Sequence, residues 1–249
     1  MKIRLLLTFD DGPHMNTGSV LDELGRNRVQ SNIKAVFFVQ TRNTGGGASR
    51  QGRTLLQREH AEGHVLGLHT GTARGHVSHT SMSLPELHRS LEDGMADICA
   101  ITGARPVLVR PPYWWFNQAT LSEYERHGLY MMLSDVKAYD GVNWGFHLLR
   151  RWSFRSQFAA IRHRLLSEEI GANGGLIPIV VAFHDTNAYT AGHVSDYLEL
   201  LVEEAAKGGL PIDHKPYYDE APELLMAALS RAVHPFGSAS SRRRPLTAC

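Results

Sequence analysis

Short apolar runs alternate with helix-like segments along most of the chain, and this alternation restricts the possible folds more than any other feature. The apolar runs read IRLLLTF, IKAVFFVQT, HVLGLHT, PVLVRPPY, GLYMMLSD and LIPIVVAFHD. Between them, apolar residues recur at helical spacing, as in TGSVLDELGRNR from Thr17 and in the segment between Ser83 and Gly103, a predicted N-cap and terminator. Strands that alternate with helices predict an α/β protein with a parallel sheet or barrel.

The chain shows no internal repeat and no linker-like stretch, so residues 1–236 are predicted to form a single domain. Residues 143–175 are long for a connection between two strands, and their sequence predicts a helical insertion. Residues 237–249, GSASSRRRPLTAC, are small, polar and basic, which predicts a flexible tail.

Composition excludes several classes of protein. Of the 249 residues, 43% are hydrophobic and 20% are charged, which is typical of a globular protein. The formal net charge of +1 gives no reason to expect a nucleic-acid partner. Fourteen histidines and two cysteines favour histidine-based metal or proton chemistry over a disulfide framework.

Nothing in the sequence is typical of a membrane or export segment. The apolar run after Met1 is three leucines long, whereas an export signal needs roughly 7–15 apolar residues. No window approaches the roughly 20 apolar residues of a membrane span. We therefore expect a cytoplasmic protein, or an exported one if a leader has been removed, and the sequence does not predict an oligomeric state.

Five predicted strands end in residues that can do chemistry: Asp10 with Asp11, His69, Arg110, Asp135, and His184 with Asp185. Active sites of α/β proteins form at these strand ends. Two histidines and one carboxylate are a common ligand set for a catalytic divalent ion. The second carboxylate can then act as a general base and another histidine as a general acid.

Three motifs, TFDDGP, RPPY and an apolar run ending in FHD, occur in this order along the chain. They resemble the motifs of the NodB-type polysaccharide deacetylases, the family-four carbohydrate esterases. The resemblance implies a deformed (β/α) barrel. It also implies that Asp10 is the general base, oriented by Arg110, that the Tyr113 backbone N–H helps to hold the oxyanion, and that Asp135 orients His184, the general acid.

The resemblance further implies metal ligation by Asp11 and two histidines, but the second histidine is displaced in this chain. After His69, Ala73 stands where the family has that histidine, and HTGTARGHVSH offers His76 and His79 instead. The downstream apolar, serine and leucine positions of the family fit His76, which favours a three-residue insertion. His79 is the alternative ligand, and a third interpretation is that both are solvated loop residues.

The fourth family motif, Asp-x-x-Asp-Trp, is also altered. Placing Asp135 at its first position puts Ala138 and Tyr139 where the second Asp and the Trp belong, while another register makes Asp140 the match. Trp114 and Trp115 follow the RPPY motif, and flat indole faces suit the apolar face of a sugar ring, so we predict that they bind substrate.

Together these features predict a metal-dependent hydrolase that removes N-acetyl groups from N-acetylglucosamine-containing glycans. The cofactor is predicted to be a divalent metal, zinc first, with cobalt, nickel and manganese as alternatives. An O-acetyl esterase or a small-molecule amidohydrolase on the same scaffold is an alternative, as is a non-catalytic carbohydrate-binding homologue.

Overall fold

The computed structural model describes residues 2–141, 149–167 and 175–233. Its strands are β1 (Lys2–Asp10), β2 (Ala35–Gln40), β3 (Val65–Thr70), β4 (Leu108–Val109), β5 (Tyr130–Met131), β6 (Val136–Lys137), β7 (Leu176–His184) and β8 (Ile212–Tyr217). Its helices are α1 (Thr17–Arg26), α2 (Arg50–Ala61), α3 (Leu84–Thr102), α4 (Gln118–Arg126), α5 (Arg150–Leu166), α6 (Ala188–Gly192), α7 (Val194–Lys207) and α8 (Ala221–Arg231).

The strands are hydrogen-bonded in the order β5-β4-β3-β2-β1-β7-β6, and β8 pairs with β1. The pairs β1–β8, β3–β4, β4–β5 and β6–β7 are all parallel. The predicted α/β class with a parallel sheet is therefore confirmed.

Three strands are almost completely buried, because most of their residues are apolar. Every residue of β2 is buried, as is every residue of β1 after Lys2 and every interior residue of β7. Continuous apolar runs of this kind are typical of parallel strands covered on both faces. Each of these strands ends in a polar residue, Asp10, Gln40 or His184, and these are positions from which a site can be built.

The described residues group into two compact units, and β1 and β2 each contribute to both. The first unit comprises the described parts of residues 2–9, 16–36 and 134–230, and the second unit those of residues 10–15, 37–133 and 231–233. The domain boundary expected after residue 236 lies outside the described residues, so the single-domain assignment stays a prediction.

Helix α5 lies within the segment for which a helical insertion is predicted. Its buried residues include Phe154, Phe158 and Ile161, and it packs against α7 and β6 in the first unit. Residues 143–148 and 168–174 of the predicted insertion lie outside the described residues, as does the predicted tail. Among the described helices, none has the length and apolar character needed to traverse a bilayer.

Helix α3 begins and ends where its sequence predicts. The Glu86 carboxylate accepts a hydrogen bond from the Ser83 backbone N–H at 2.9 Å, which satisfies a donor at the start of the helix. Gly103 ends the helix with φ = 73°, the left-handed conformation that glycine adopts most easily.

A pair of glycine substitutions is expected to change stability in opposite directions. A Cβ at Gly103 would contact nothing within 4 Å, so Gly103→Ala should lower the free energy of unfolding through backbone strain alone, by about 1 kcal/mol. Gly25 in α1 is equally open but has no positive φ, so Gly25→Ala should raise that free energy by about 0.5 kcal/mol. Urea denaturation of both variants measures the two effects, and a loss of stability in both would contradict the argument.

Candidate active site

Asp11 contacts both other members of a three-residue cluster in the second unit. The distance from its Oδ1 is 3.1 Å to His69 Nε2 and 3.3 Å to His76 Nε2. Gln40, the last residue of β2, donates to the same oxygen at 3.2 Å. One ligand atom from each of Asp11, His69 and His76 lies within 4.8 Å of the others, so the predicted set of ligands is brought together.

The hydrogen bond of His69 shows what this cluster is suited to hold. His69 Nδ1 lies 2.7 Å from the Arg110 carbonyl oxygen, which can only accept, so we assign the proton to Nδ1. The Nε2 lone pair then faces a carboxylate oxygen, and within the described residues this buried nitrogen makes no hydrogen bond. Two acceptors at this separation repel unless a cation lies between them, and a carbonyl-oriented imidazole is the usual arrangement of a metal ligand.

His76 reaches the cluster from the loop in which the sequence predicts a three-residue insertion. Its ring stacks on His69 with centroids 5.2 Å apart and lies at a tilt to the Tyr113 ring with centroids 4.3 Å apart. Gly75, immediately before it, has φ = 73°. A Cβ at Gly75 would lie 3.0 Å from Asn43 Nδ2, so this loop passes close to the residue that binds Gln40.

His79 has a different environment. It is buried, and its Nδ1 lies 2.6 Å from the hydroxyl of Tyr124. Burial, together with the nearby His69 and His76 rings, lowers the pKa of His79 to about 3. His79 is therefore a neutral residue of the packed interior, and the geometry favours His76 as the third ligand.

The adjacent carboxylates of Asp10 and Asp11 have different partners, which limits the repulsion between them. Arg110 Nη1 donates to Asp10 Oδ1 at 2.8 Å, and the two side chains are 0% and 2% exposed. The guanidinium is held in turn by the carbonyls of Met132 and Leu133 and lies over the Phe38 ring. Asp11 has φ = 76°, a left-handed conformation, and contacts the histidines instead.

The residues after Arg110 form an aromatic row beside His76. Tyr113 and Trp114 have positive φ angles of 62° and 58° in a short turn. Among the residues that the structure describes, none accepts a hydrogen bond from the Tyr113 backbone N–H, which leaves it able to donate to a ligand. Trp115 is 61% exposed with its ring 5.3 Å from that of Tyr113, whereas Trp114 is partly buried.

In the first unit, the carboxylate that contacts His184 is Asp140 and not the expected Asp135. His184 Nδ1 lies 2.8 Å from Asp140 Oδ1, and the His184 backbone N–H donates to Asp140 Oδ2 at 3.0 Å. The Asp135 carboxylate instead accepts from the Val180 backbone N–H at 2.9 Å, which is the bond of a strand-end cap. The assignment of Asp135 as the orienting residue is therefore corrected to the alternative register.

Asp140 is itself fixed by α6 and the residue before it. The Thr190 hydroxyl donates to Asp140 Oδ2 at 2.7 Å, and Asn187 Nδ2 donates to the Asp140 backbone carbonyl at 2.7 Å. With Nδ1–H directed at Asp140, His184 Nε2 is the nitrogen available to carry an exchangeable proton. A Cβ at Gly141 would lie 2.9 Å from this nitrogen, so a larger residue at 141 would displace the ring.

Sequence reasoning missed Gln40, Asn43, Thr190 and Asn187 as supporting residues. Gln40 had a usable signal, since it is the polar residue that ends a fully apolar strand. Asn43 lies in a loop and binds the nearby Gln40, whereas Asn187 and Thr190 bind Asp140, which is 47 and 50 residues away along the chain; no local pattern marks any of the three.

Replacing each of the two candidate histidines separately is expected to show which one is the metal ligand and which one is a packing residue. His76→Gln should bind one fewer equivalent of zinc than the unchanged protein, because loss of a ligand exceeds the 10–100-fold loss of affinity caused by losing a residue that only orients one. His79→Gln should keep the full number of ions and lose about 1–3 kcal/mol of stability from its buried hydrogen bond. Equilibrium dialysis and urea denaturation measure the two effects, and the reverse result would make His79 the ligand.

Comparison with known proteins places this geometry in a family context. Residues 2–132 match the family model for polysaccharide deacetylases. Over 186 residues, or 74% of this chain, the sequence is 31% identical to the peptidoglycan-N-acetylglucosamine deacetylase PgdA of Listeria monocytogenes, and the match covers 34% of that protein. Over 126 residues, or 49% of this chain, it is 32% identical to a chitin deacetylase of Arthroderma benhamiae, and covers 32% of it. The matches thus span about a third of these relatives.

Solved structures share the fold. The chitin deacetylase of Colletotrichum lindemuthianum superposes with a TM-score of 0.63 at 21% identity, covering 85% of this chain and 84% of that one. A family 4 acetyl xylan esterase from Clostridium thermocellum, solved with a cobalt ion, gives a TM-score of 0.61 at 21% identity, covering 90% and 91%. At this level of identity, the comparison supports the architecture and leaves the chemistry to the residues themselves.

Proposed function

Because this chain belongs to the polysaccharide deacetylase family, we propose that it is a metal-dependent hydrolase that removes N-acetyl groups from N-acetylglucosamine-containing glycans. The observation that carries the proposal is the buried His69 Nε2, which is aimed at Asp11 with its other nitrogen already bonded. Relatives named as peptidoglycan and chitin deacetylases support substrates of the chitooligosaccharide or peptidoglycan type.

The donor set fits a divalent metal, and we assign Asp11, His69 and His76 as the residues that hold it. Two imidazoles and a carboxylate suit zinc, which we propose as the ion, and also accept cobalt, nickel or manganese. When bound, such an ion stabilises negative charge on a carbonyl oxygen and lowers the pKa of a nearby water.

Asp10 is assigned as the general base. Its carboxylate is held by a buried arginine that three further groups fix in place, so its orientation does not depend on substrate. A base with a fixed direction accepts the proton of the attacking water without first reorganising. Arg110 therefore acts as a positioning residue, and Asp10 as the residue that moves the proton.

The Tyr113 backbone N–H is assigned to the developing oxyanion, and His184 to the leaving amine. A backbone donor without another acceptor can stabilise negative charge on the acetyl oxygen as it forms. His184 Nε2 carries the proton that the amine needs, and Asp140 stabilises the charged ring through Nδ1–H.

The aromatic row is assigned to sugar binding. The exposed faces of Tyr113 and Trp115 can pack against the apolar face of a pyranose ring next to His76. Trp114, which is partly buried, is assigned mainly to packing, with Trp115 as the residue in contact with the glycan.

Acetate release is expected from chitooligosaccharides or peptidoglycan fragments, to stop after treatment with a chelator, and to return when zinc or cobalt is added. An enzymatic acetate assay over a panel that also contains acetylated xylan and simple amides measures this. Release from acetylated xylan alone would favour the O-acetyl esterase, and release from simple amides alone would favour a small-molecule amidohydrolase. Glycan binding without acetate release at any metal loading would support a non-catalytic homologue, and full activity after chelation would refute the proposal.

A further inference from the structure

A second cluster of metal-binding side chains lies between α3 and α4, and the proposed function does not use it. His88 Nδ1 on α3 lies 2.9 Å from Glu123 Oε1 on α4. His127 Nε2, at the end of α4, lies 3.0 Å from the same oxygen and 3.2 Å from His88 Nδ1. All of these residues belong to the second unit.

We propose that His88, Glu123 and His127 form a second site for a divalent transition-metal ion. Three donors that each bind one tetrahedral ion at about 2.1 Å lie about 3.4 Å from one another. The three distances between the donor atoms are 2.9, 3.0 and 3.2 Å, so a small outward shift of the side chains would accommodate an ion. Glu123 and His127 lie four residues apart, so they present their side chains on one face of α4.

The residues around the cluster orient its donors as a metal site requires. His127 Nδ1 lies 2.7 Å from Glu92 Oε1, which keeps a proton on Nδ1 and leaves Nε2 with a lone pair. Arg126 binds the other oxygen of Glu123 at 3.0 Å, so Oε1 stays directed at the histidines.

The exposure of one of its histidines makes the site accessible to ions. Side chains of Glu123 and His127 are 3% and 4% exposed, whereas that of His88 is 52% exposed and provides the approach from solvent. The carboxylates of Glu92 and Glu123 are offset by Arg105, 3.4 Å from Glu92, and by Arg126. Because two of its three donors are imidazoles, the site should prefer zinc, cobalt or nickel over magnesium and calcium.

An ion held here would link α3 to α4 and would stabilise the second unit without taking part in hydrolysis. Its binding free energy is released only in the folded state, where the three donors converge. Zinc should therefore raise the melting temperature even when the cluster around Asp11 is disabled. The competing interpretation is a hydrogen-bonded network in which a proton on His127 Nε2 replaces the ion.

Zinc titration of the metal-free full chain tests the proposal, with Asp11→Asn separating the two sites. We expect two bound equivalents in the unchanged protein, one in Asp11→Asn, one in His88→Gln and fewer than one in the double variant. His60→Gln, which removes an exposed imidazole from α2 of the same unit, is the matched control and should keep two. His127→Gln serves as a second variant that should also lose one equivalent.

Three further measurements decide the outcome. Zinc should raise the melting temperature of Asp11→Asn and should not raise that of the double variant. Cobalt should give a visible absorption band in Asp11→Asn that disappears when His88 is also replaced. His88→Gln should release acetate at the unchanged rate. One equivalent in the unchanged protein and none in Asp11→Asn would overturn the second site while leaving the proposed function intact, whereas two equivalents without acetate release would do the opposite.

Discussion

Asp10→Asn is expected to lower kcat for acetate release by about 10²–10⁴-fold while ion binding stays unchanged. An amide cannot accept the proton of the attacking water, yet it occupies the same volume and its oxygen can still accept from Arg110 Nη1. Since Asp10 makes no contribution to the cluster around Asp11, the variant should hold as many equivalents of zinc as the unchanged protein. Steady-state kinetics and equilibrium dialysis measure the two quantities.

The control for this prediction is Asp11→Asn, which changes the adjacent carboxylate. It should lose an ion, and activity should fall for that reason, so the two neighbours are distinguished by their metal content. Asp10→Asn with near-normal kcat would remove Asp10 from its role as base. Asp10→Asn with a lost ion would show instead that the two carboxylates act together as ligands.

The second large effect is expected from Asp140→Asn, which should also lower kcat by about 10²–10⁴-fold. Without its charge, residue 140 no longer stabilises a protonated His184, and the amide favours other ring orientations. Because Asp140 is buried and accepts three hydrogen bonds, urea denaturation must show that the variant is folded at the assay temperature.

Asp135→Asn is the matched control, since it makes the same chemical change at the carboxylate that the sequence first favoured. Its carboxylate oxygen caps Val180, an interaction that an amide oxygen retains, so kcat should stay within about twofold of the unchanged protein. A large loss of kcat in Asp135→Asn, together with normal activity in Asp140→Asn, would restore the original assignment.

Local signals predicted those parts of the fold and site that depend on neighbouring residues. The start of α1 at Thr17 follows from helical periodicity, and the end of α3 at Gly103 follows from a glycine cap. His76 followed from the spacing of downstream residues, because the helix after the loop carries its own pattern past the insertion. Its contact with Asp11 in the structure agrees with that spacing.

Long-range pairing explains what the sequence did not reveal. Both Asp135 and Asp140 follow an apolar run, and only the pairing of β6 with β7 decides which carboxylate reaches His184. Gln40 ends an apolar strand, yet nothing in its spacing identifies Asp11 as its partner. The partners of these residues are set by which strands are neighbours in the sheet, and periodicity along one segment contains no such information.

The left-handed backbone of Asp11 has an evolutionary consequence. An aspartate in this conformation is less stable than a glycine would be, by about 1 kcal/mol. In a lineage that no longer used the carboxylate, drift towards glycine at residue 11 would therefore be rewarded by a more stable protein. Asp11 therefore has a backbone cost that a glycine would avoid, and what it provides in return is the carboxylate that contacts His69 and His76.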